Sequence, residues 1–349
     1  MSFGLSCTKI DVLAGIDNDS SCQETYEHKG NGIGSTFLNQ DIMSLKLNRL
    51  EQMTGIEKWQ DNLLFTGCSP CQYWSKINTD KTKAAKKKNL LERFGEFVQC
   101  YQPGYVMIEN VPGLRSKQNE KVLERFHRLL QEMGYNFDDN VVNVADYGVP
   151  QKRRRYLLIA SRLGNEIMLP RNVQVHKEMT VRAFIGDENT FPRVEAGHRD
   201  KTSFAHTVSR LSNKNLRRIR KTDTDGGTRL SWADDPELQI PAYEGKDDQF
   251  VDVYGRMKWD EPAPTITTRF HSLSNGRFGH PEQDRAISLR EGATLQTFPL
   301  DFVFEGGLLS KARQIGNAVP PRLAEELGKQ VIAHFESAST SHSEPSVTV

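Results

Sequence analysis

The sequence predicts an α/β fold: a doubly wound, mainly parallel sheet that carries a second, smaller irregular domain. Three observations lead there. Short β-rich runs alternate with helical periods between residues 11 and 160, the helical stretches have the length of right-handed crossovers, and the rhythm stops from about 165 to 280. A sheet of this kind is covered on both faces and receives ligands at the carboxyl ends of its strands.

Taken in order, DVLAGID (11–17) reads as a strand, a polar helical stretch follows, and FLNQD (37–41) reads as the next strand. NLLFTG (62–67) is a third. Leu90, Leu91, Phe94, Phe97, Val98 and Tyr101 then recur at spacings of three and four, which places them on one buried face of a helix that Pro103 and Gly104 end. YVMIENV (105–111) reads as a buried strand. Val122, Leu123, Phe126, Leu129, Leu130 and Met133 mark a second amphipathic helix closed by Gly134. NVVNVADY (140–147) and RYLLIAS (155–161) read as further strands.

The segment from 165 to 280 is polar and rich in turn formers such as Asp225-Gly226-Gly227, as an inserted domain would be. A last helix starts at Pro320 and Pro321 and carries Leu323, Leu327, Val331, Ile332 and Phe335 on one face. A Ser-rich tail, expected to be disordered, follows from about 337. The expected division is therefore 1–165, an inserted 166–309, a returning segment 310–336 and a tail 337–349.

At 349 residues the chain can bury a substantial core. It has no apolar run of about 18 residues and no signal-peptide pattern, so the expected location is the cytoplasm. Cys7, Cys22, Cys68, Cys71 and Cys100 are odd in number and confined to the first third, which argues for thiols over a disulfide scaffold. The formal charge of +1 does not decide for or against a nucleic-acid partner, because phosphate binding needs a local basic surface.

Several residues could carry chemistry. Cys68-Ser69-Pro70-Cys71-Gln72 directly follows a strand, where a thiol faces the ligand side of such a sheet. A C-x-x-C pair also fits a redox motif or half a zinc site, but no second Cys pair or suitable His cluster follows, and no metal is expected. Glu109-Asn110-Val111 ends another strand, and Ile108 and Val111 would desolvate the carboxyl and prime it as an acid; a cap or a salt-bridge partner is the plainer role. In Gln151-Lys152-Arg153-Arg154-Arg155, alternation puts Arg153 and Arg155 on one side, as a pair that could face an anionic or carbonyl-rich ligand; a solvated turn would look the same.

These motifs, in this order and together with Gly316-Asn317-Ala318-Val319-Pro320-Pro321, resemble the signature of the cytosine C5-specific DNA methyltransferase family. Residues 285–302, with Arg290-Glu291, Leu295-Gln296 and Phe298-Pro299, resemble its penultimate block, so the likeness spans nearly all of 1–335. It implies a Rossmann-like methyltransferase sheet with a target-recognition domain, S-adenosylmethionine as methyl donor and double-stranded DNA as partner. It also implies Cys71 as the nucleophile toward C6 of the base, Glu109 as proton donor toward N3, and Arg155 on O2. Arg153 would organise the loop or a phosphate, although the two arginines' roles could be exchanged. Pro70, Gln72, Asn110 and Gln151 would shape the substrate loop and base pocket.

For the donor, the resemblance implies Asp17 on the ribose hydroxyls, Asp41 at the adenine and Asn317 nearby; as isolated residues these acids also fit a turn and a cap. Family members open with a strand leading into a Phe-x-Gly-x-Gly-Gly turn, and this sequence starts around the end of that turn, its first five residues resembling the helix that follows. Either the written start is an internal methionine of a longer protein, or the gene is a fragment.

The lysines of 81–88 fit a solvated helix start or part of a mobile loop closing over DNA. Within 201–230, eight Lys or Arg face two acidic residues, a balance suited to phosphate contacts. The expected protein is a monomeric bacterial modification enzyme, with a cognate restriction endonuclease in the same system. The alternatives are a cytosine C5 methyltransferase of RNA, against which stands the lack of a Cys-Phe-Thr tripeptide, and a DNA-binding remnant that does not bind the donor.

Overall fold

A computed structural model describes residues 1–68, 90–117, 119–164, 166–171, 173–174 and 178–341. Two sheets form the α/β part. In the first, β1 (Ala14–Asp17) pairs in parallel with β2 (Thr36–Asn39), from Ala14 opposite Thr36 to Asp17 opposite Asn39. The second contains β3 (Leu64–Gly67), β4 (Tyr105–Asn110), β5 (Asn136–Asn143) and β7 (Arg154–Ser161), in the spatial order β3-β4-β7-β5.

β3 runs parallel to β4, and β7 is antiparallel to both β4 and β5, so three strands share a direction and β7 alone is reversed. The reversal follows from chain length: only residues 144–153 separate β5 from β7, too few for the crossover that a parallel neighbour requires. This connection also corrects the reading of 140–147 as one strand. β5 stops at Asn143, whose side chain accepts from the Ala145 N–H at 3.4 Å, and Val144–Tyr147 turn as a 3-10 helix ended by Gly148 at φ 80°.

The short helices α2 (Gln23–Tyr26) and α3 (Arg49–Thr54) precede and follow β2, and longer helices cover both faces of the larger sheet. α4 (Leu90–Tyr101) and α5 (Glu120–Glu132) bury the residues that their spacing predicts. Leu91, Phe94, Val98, Val122, Leu123, Phe126 and Leu130 pack on Val106, Ile108, Leu158 and Ala160. On the opposite face Tyr105, Met107, Leu157 and Ile159 pack against Leu323, Leu327 and Val331 of α10 (Pro321–Ser341). Each Val, Leu, Ile, Phe or Met among them contributes about 1.5–3 kcal/mol by leaving water. The helix runs to Ser341, past the point near 337 where the tail is expected. The short α1 (Ser2–Ser6) lies on α10, and Gly4 permits the contact, since a Cβ there would overlap the Pro321 carbonyl oxygen.

The inserted segment holds α6 (Val181–Ile185), α7 (Asn213–Lys221), β8 (Ala263–Pro264) and α8 (Leu289–Leu295); α9 (Leu308–Asn317) follows. β8 pairs in parallel with β6 (Gln151–Lys152), which ties the insertion to the start of β7. A small core forms around Ile219, Trp232, Leu238, Tyr254, Leu273 and Ala286. A larger one joins Val181, Ile185 and Phe270 to Leu289, Ala293, Phe302, Ala312 and Ile315. The expected boundary at 309/310 therefore runs through one continuous core. At its centre Arg285 and Glu291, both wholly buried, exchange two hydrogen bonds of 2.7 Å, while Glu291 closes a capping box with Ser288 at the start of α8. Among the described residues no helix is long and apolar enough to cross a membrane.

Candidate active site

The carboxyl ends of β3 and β4 lie side by side. Gly67 pairs with Ile108, so the next residues, the exposed Cys68 and the buried Glu109, are neighbours. Near them lies the α-amine of Met1, whose ammonium pKa burial pushes down against the pull of the Glu109 carboxylate. Pro70, Cys71 and Gln72 lie outside the described residues, as do the lysines of 81–88.

Across the sheet, Glu109 pairs with Leu157, which makes Arg155 its diagonal neighbour on the same face. The Arg155 Nε stands 2.8 Å from Glu109 Oε1, with both side chains nearly out of solvent, and Arg155 Nη1 donates to the Arg154 carbonyl at 2.8 Å. A carboxyl and a guanidinium thus share one end of the sheet beside the chain that leads to Cys71. Asn110, also buried, accepts from the Val111 N–H at 2.9 Å and holds the turn after β4.

Arg153 does not join Arg155, which corrects the expectation of a pair facing one ligand. It is buried, and its Nη1 and Nη2 donate to the carbonyls of Ile266 at 3.0 Å and Ala318 at 3.3 Å. Strand alternation holds only where a strand continues, and residue 153 falls in the break between β6 and β7. Gln151 is wholly buried too. Its Nε2 donates to the Leu295 carbonyl at 2.7 Å and to Gln296 Oε1 at 2.8 Å, and its Oε1 accepts from the Ile266 N–H at 3.0 Å. Gln296 in turn donates to the Ile315 carbonyl at 2.6 Å. These bonds engage both amide hydrogens and the oxygen of Gln151 inside the protein.

This amide clamp binds three segments to β6, just ahead of the strand of Arg155: the end of α8, the loop at 265–268 and the end of α9. Gly316 completes the fit, because a Cβ there would overlap the backbone at Thr267 and Thr268. The sequence reading missed Gln296 and Ile266 as parts of the site's support, since the partners of a buried amide are set by tertiary packing and leave no periodic signal.

At the other sheet, Asp17 ends β1 and Asp41 follows β2, both exposed at the carboxyl side of parallel strands. Each accepts one turn hydrogen bond at 2.9 Å, from the Asp19 and Met43 N–H groups respectively. Beside them Ile16 and Met43 are exposed apolar side chains, also missed in the sequence. Acceptors for hydroxyls next to apolar surface fit an adenosine-bearing ligand. Asn317 closes α9 and is exposed, next to the Ala318 carbonyl that Arg153 holds. Among the described residues no group of His, Cys, Asp or Glu side chains could hold a metal ion.

The sequence profile of the C-5 cytosine-specific DNA methylase family matches residues 1–333. The chain is 39% identical over 342 residues to the type II methylase M.HgiDII of Herpetosiphon aurantiacus, covering 96% of this chain and 93% of that one. It is 30% identical over 334 residues to the type II methyltransferase M1.HphI of Haemophilus parahaemolyticus, covering 95% and 83%. In fold it is similar to a prophage-encoded Escherichia coli protein crystallised as a candidate DNA modification methyltransferase, with a TM-score of 0.71, 20% identity and 96% of each chain covered.

Proposed function

The chain belongs to the C-5 cytosine-specific DNA methylase family, enzymes that methylate cytosine in DNA, and from that premise we propose that it uses S-adenosylmethionine and a covalent bond from Cys71 to the base. The observation that carries the reading is the pairing of Glu109 with Arg155 at 2.8 Å, beside the end of β3.

C5 of cytosine is a weak nucleophile until C6 accepts an electron pair. In the proposed reaction the Cys71 thiolate forms the S–C6 bond, Glu109 delivers a proton to N3, and Arg155 donates a hydrogen bond to O2 as charge builds there. S-adenosylmethionine supplies an electrophilic methyl on its sulfonium. C5 takes that methyl as the methyl–sulfur bond breaks. The C5 proton then leaves to water, the S–C6 bond breaks to return the thiolate, and N3 returns its proton to Glu109. Since C5 and C6 are shielded in a stacked duplex, the base must rotate out, at an unstacking cost of a few kcal/mol.

The donor would be held by Asp17, Asp41 and Asn317. Pro70, Gln72 and Asn110 would shape the loop over the base, while Arg153 and Gln151 keep Arg155 in place from behind. Residues 1–165 and 310–336 would carry cofactor and chemistry, and 166–309 would read the DNA. The reading extends to a monomer in the cytoplasm acting beside a nuclease of matching specificity.

Incubating the protein with methyl-labelled S-adenosylmethionine and mixed-sequence duplex DNA tests the proposal. It expects label in 5-methylcytosine, and none with Cys71→Ser. Label in RNA alone would turn the assignment to an RNA methyltransferase, and DNA binding without transfer would turn it to a binding remnant.

A further inference from the structure

The basic residues in and just after α7, and the arginines at 199, 210 and 269, form two sets that the sequence cannot tell apart. In the first set Arg217, Arg218, Arg220, Lys221 and Arg229 are engaged within the protein, and Lys214 is the exposed exception. Arg217 pairs with Glu237 at 2.7 Å, Lys221 with Asp235 at 3.0 Å and Arg220 with Asp284 at 3.8 Å. Arg218 is buried, donates to the carbonyls of Leu238 at 2.8 Å and Gln239 at 3.2 Å, and lies over the Trp232 ring. Arg229, also buried, donates to the carbonyl of Gln249 at 2.9 Å. With three of its five cations paired to acids and Arg218 buried, α7 offers little net charge to a polyanion.

A second set sits nearer the site. The Gly197 N–H donates to the Ser209 carbonyl at 3.1 Å and the Val208 N–H to the His198 carbonyl at 3.0 Å, which brings Arg199 and Arg210 onto adjacent strips of chain. Ser209 Oγ and His271 Nδ1 hydrogen-bond at 3.0 Å, joining these strips to the turn bearing Arg269. Arg269 acts on the same ring, since its charge adds to burial in pushing the His271 pKa down. Arg199, Arg210 and Arg269 are all exposed, and none of them makes an ion pair among the described residues. The nearest acid in sequence, Asp200, turns its oxygens inward to the N–H groups of Thr202 and His206, both at 2.8 Å. The turn of Arg269 also continues the loop whose Ile266 is held by Gln151 and Arg153, two residues ahead of Arg155.

We propose that Arg199, Arg210 and Arg269 grip the phosphates of the DNA duplex, and that α7, despite its composition, does not. The inference rests on the reading of the chain as an enzyme of DNA. Phosphate contacts set where the duplex lies without reading its sequence, so this face would register the target base over Arg155 and leave base recognition to other side chains of the insertion.

The test is binding of the full-length protein to a mixed-sequence fluorescent duplex, followed by anisotropy between about 50 and 200 mM salt, where each lost phosphate contact lowers the slope of log K against log salt by about 0.9. Arg199→Gln, Arg210→Gln and Arg269→Gln should each reduce the slope by about that amount and weaken binding equally on unrelated sequences. Arg217→Gln and Lys221→Gln should leave it at the wild-type value. Unchanged slopes for the first three variants, or a reduced slope for either α7 variant, overturn the proposal while the enzyme assignment stands. A wild-type protein with no salt-dependent DNA binding overturns both.

Discussion

Gln151 and Gln296 join β6 to the end of α8, the loop at 265–268 and the end of α9, and a double-mutant cycle measures how much that joint contributes. Gln151→Met keeps the volume but strips partners from the Gln296 Oε1, the Leu295 carbonyl and the Ile266 N–H, all buried. At about 1–3 kcal/mol for each buried group left unsatisfied, and with some relaxation, the loss should be roughly 3–5 kcal/mol. Gln296→Met strips the Ile315 carbonyl and one of the two bonds of Gln151 Nε2, for roughly 2–4 kcal/mol. In the double variant neither member of the Gln151–Gln296 bond remains to be orphaned. Its loss should therefore fall short of the sum by about 1–2 kcal/mol, well above the roughly 0.5 kcal/mol expected of independent sites. Urea unfolding of the four proteins at pH 7 gives the four free energies. Additive losses would refute the joint as a cooperative unit.

Other outcomes follow from the same structure. His280 is buried, accepts from the Glu282 and Gln283 N–H groups, and is pushed down to about 3 by that burial, against the pull of Glu291. Its folded pKa lies below the unfolded value of about 6.5, so the unfolded chain takes the proton first and stability falls as pH drops from there toward 3. His280→Gln should remove about 2 kcal/mol of the stability difference between pH 7.5 and pH 5, read from urea midpoints. Glu291, which Arg285 and His280 hold below the ordinary carboxylate range despite burial, adds a further loss that begins only below about pH 4.5. Gly316→Ala should force α9 from the 267–268 backbone, costing about 1–3 kcal/mol and raising KM for the methyl donor more than KM for DNA. Arg155→Ala should lower kcat by about 10²–10³ with little change in DNA affinity, as measured by single-turnover methylation and anisotropy, because the guanidinium acts on charge that develops only during reaction.

Much of this was legible in the sequence, for physical reasons that also mark where legibility ends. The apolar spacing of Leu91, Phe94, Val98 and Tyr101 identified a helix and its buried face, because a face that packs on a sheet must repeat with the helix turn. The continuous apolar run at 105–108 identified a strand covered on both sides and placed Glu109 at its ligand end. Pattern said less where the chain turns. Val144 and Tyr147 suit a strand, yet the Asn143 cap and Gly148 fold them into a turn. Arg153 and Arg155 share a parity, yet a break in the strand lies between them and the alternation does not carry across it. Charge counting gave a basic stretch at 201–230 but not the distant acids Glu237, Asp235 and Asp284 that pair with α7. The Ser-rich composition past 337 suggested disorder, whereas α10 keeps its helical backbone to Ser341.

The most direct test of the covalent mechanism is to trap its intermediate. Duplex DNA with fluorine in place of hydrogen at C5 of cytosine lets the thiolate add and the methyl transfer, but leaves no C5 proton to remove, so the protein stays bonded to C6. Mass spectrometry of the digested complex should find the methylated nucleotide on Cys71, with no adduct when S-adenosylmethionine is withheld or when Cys71→Ser is used. An adduct on Cys68, whose exposed thiol adjoins Glu109, or full methylation of ordinary DNA by Cys71→Ser, would contradict the account.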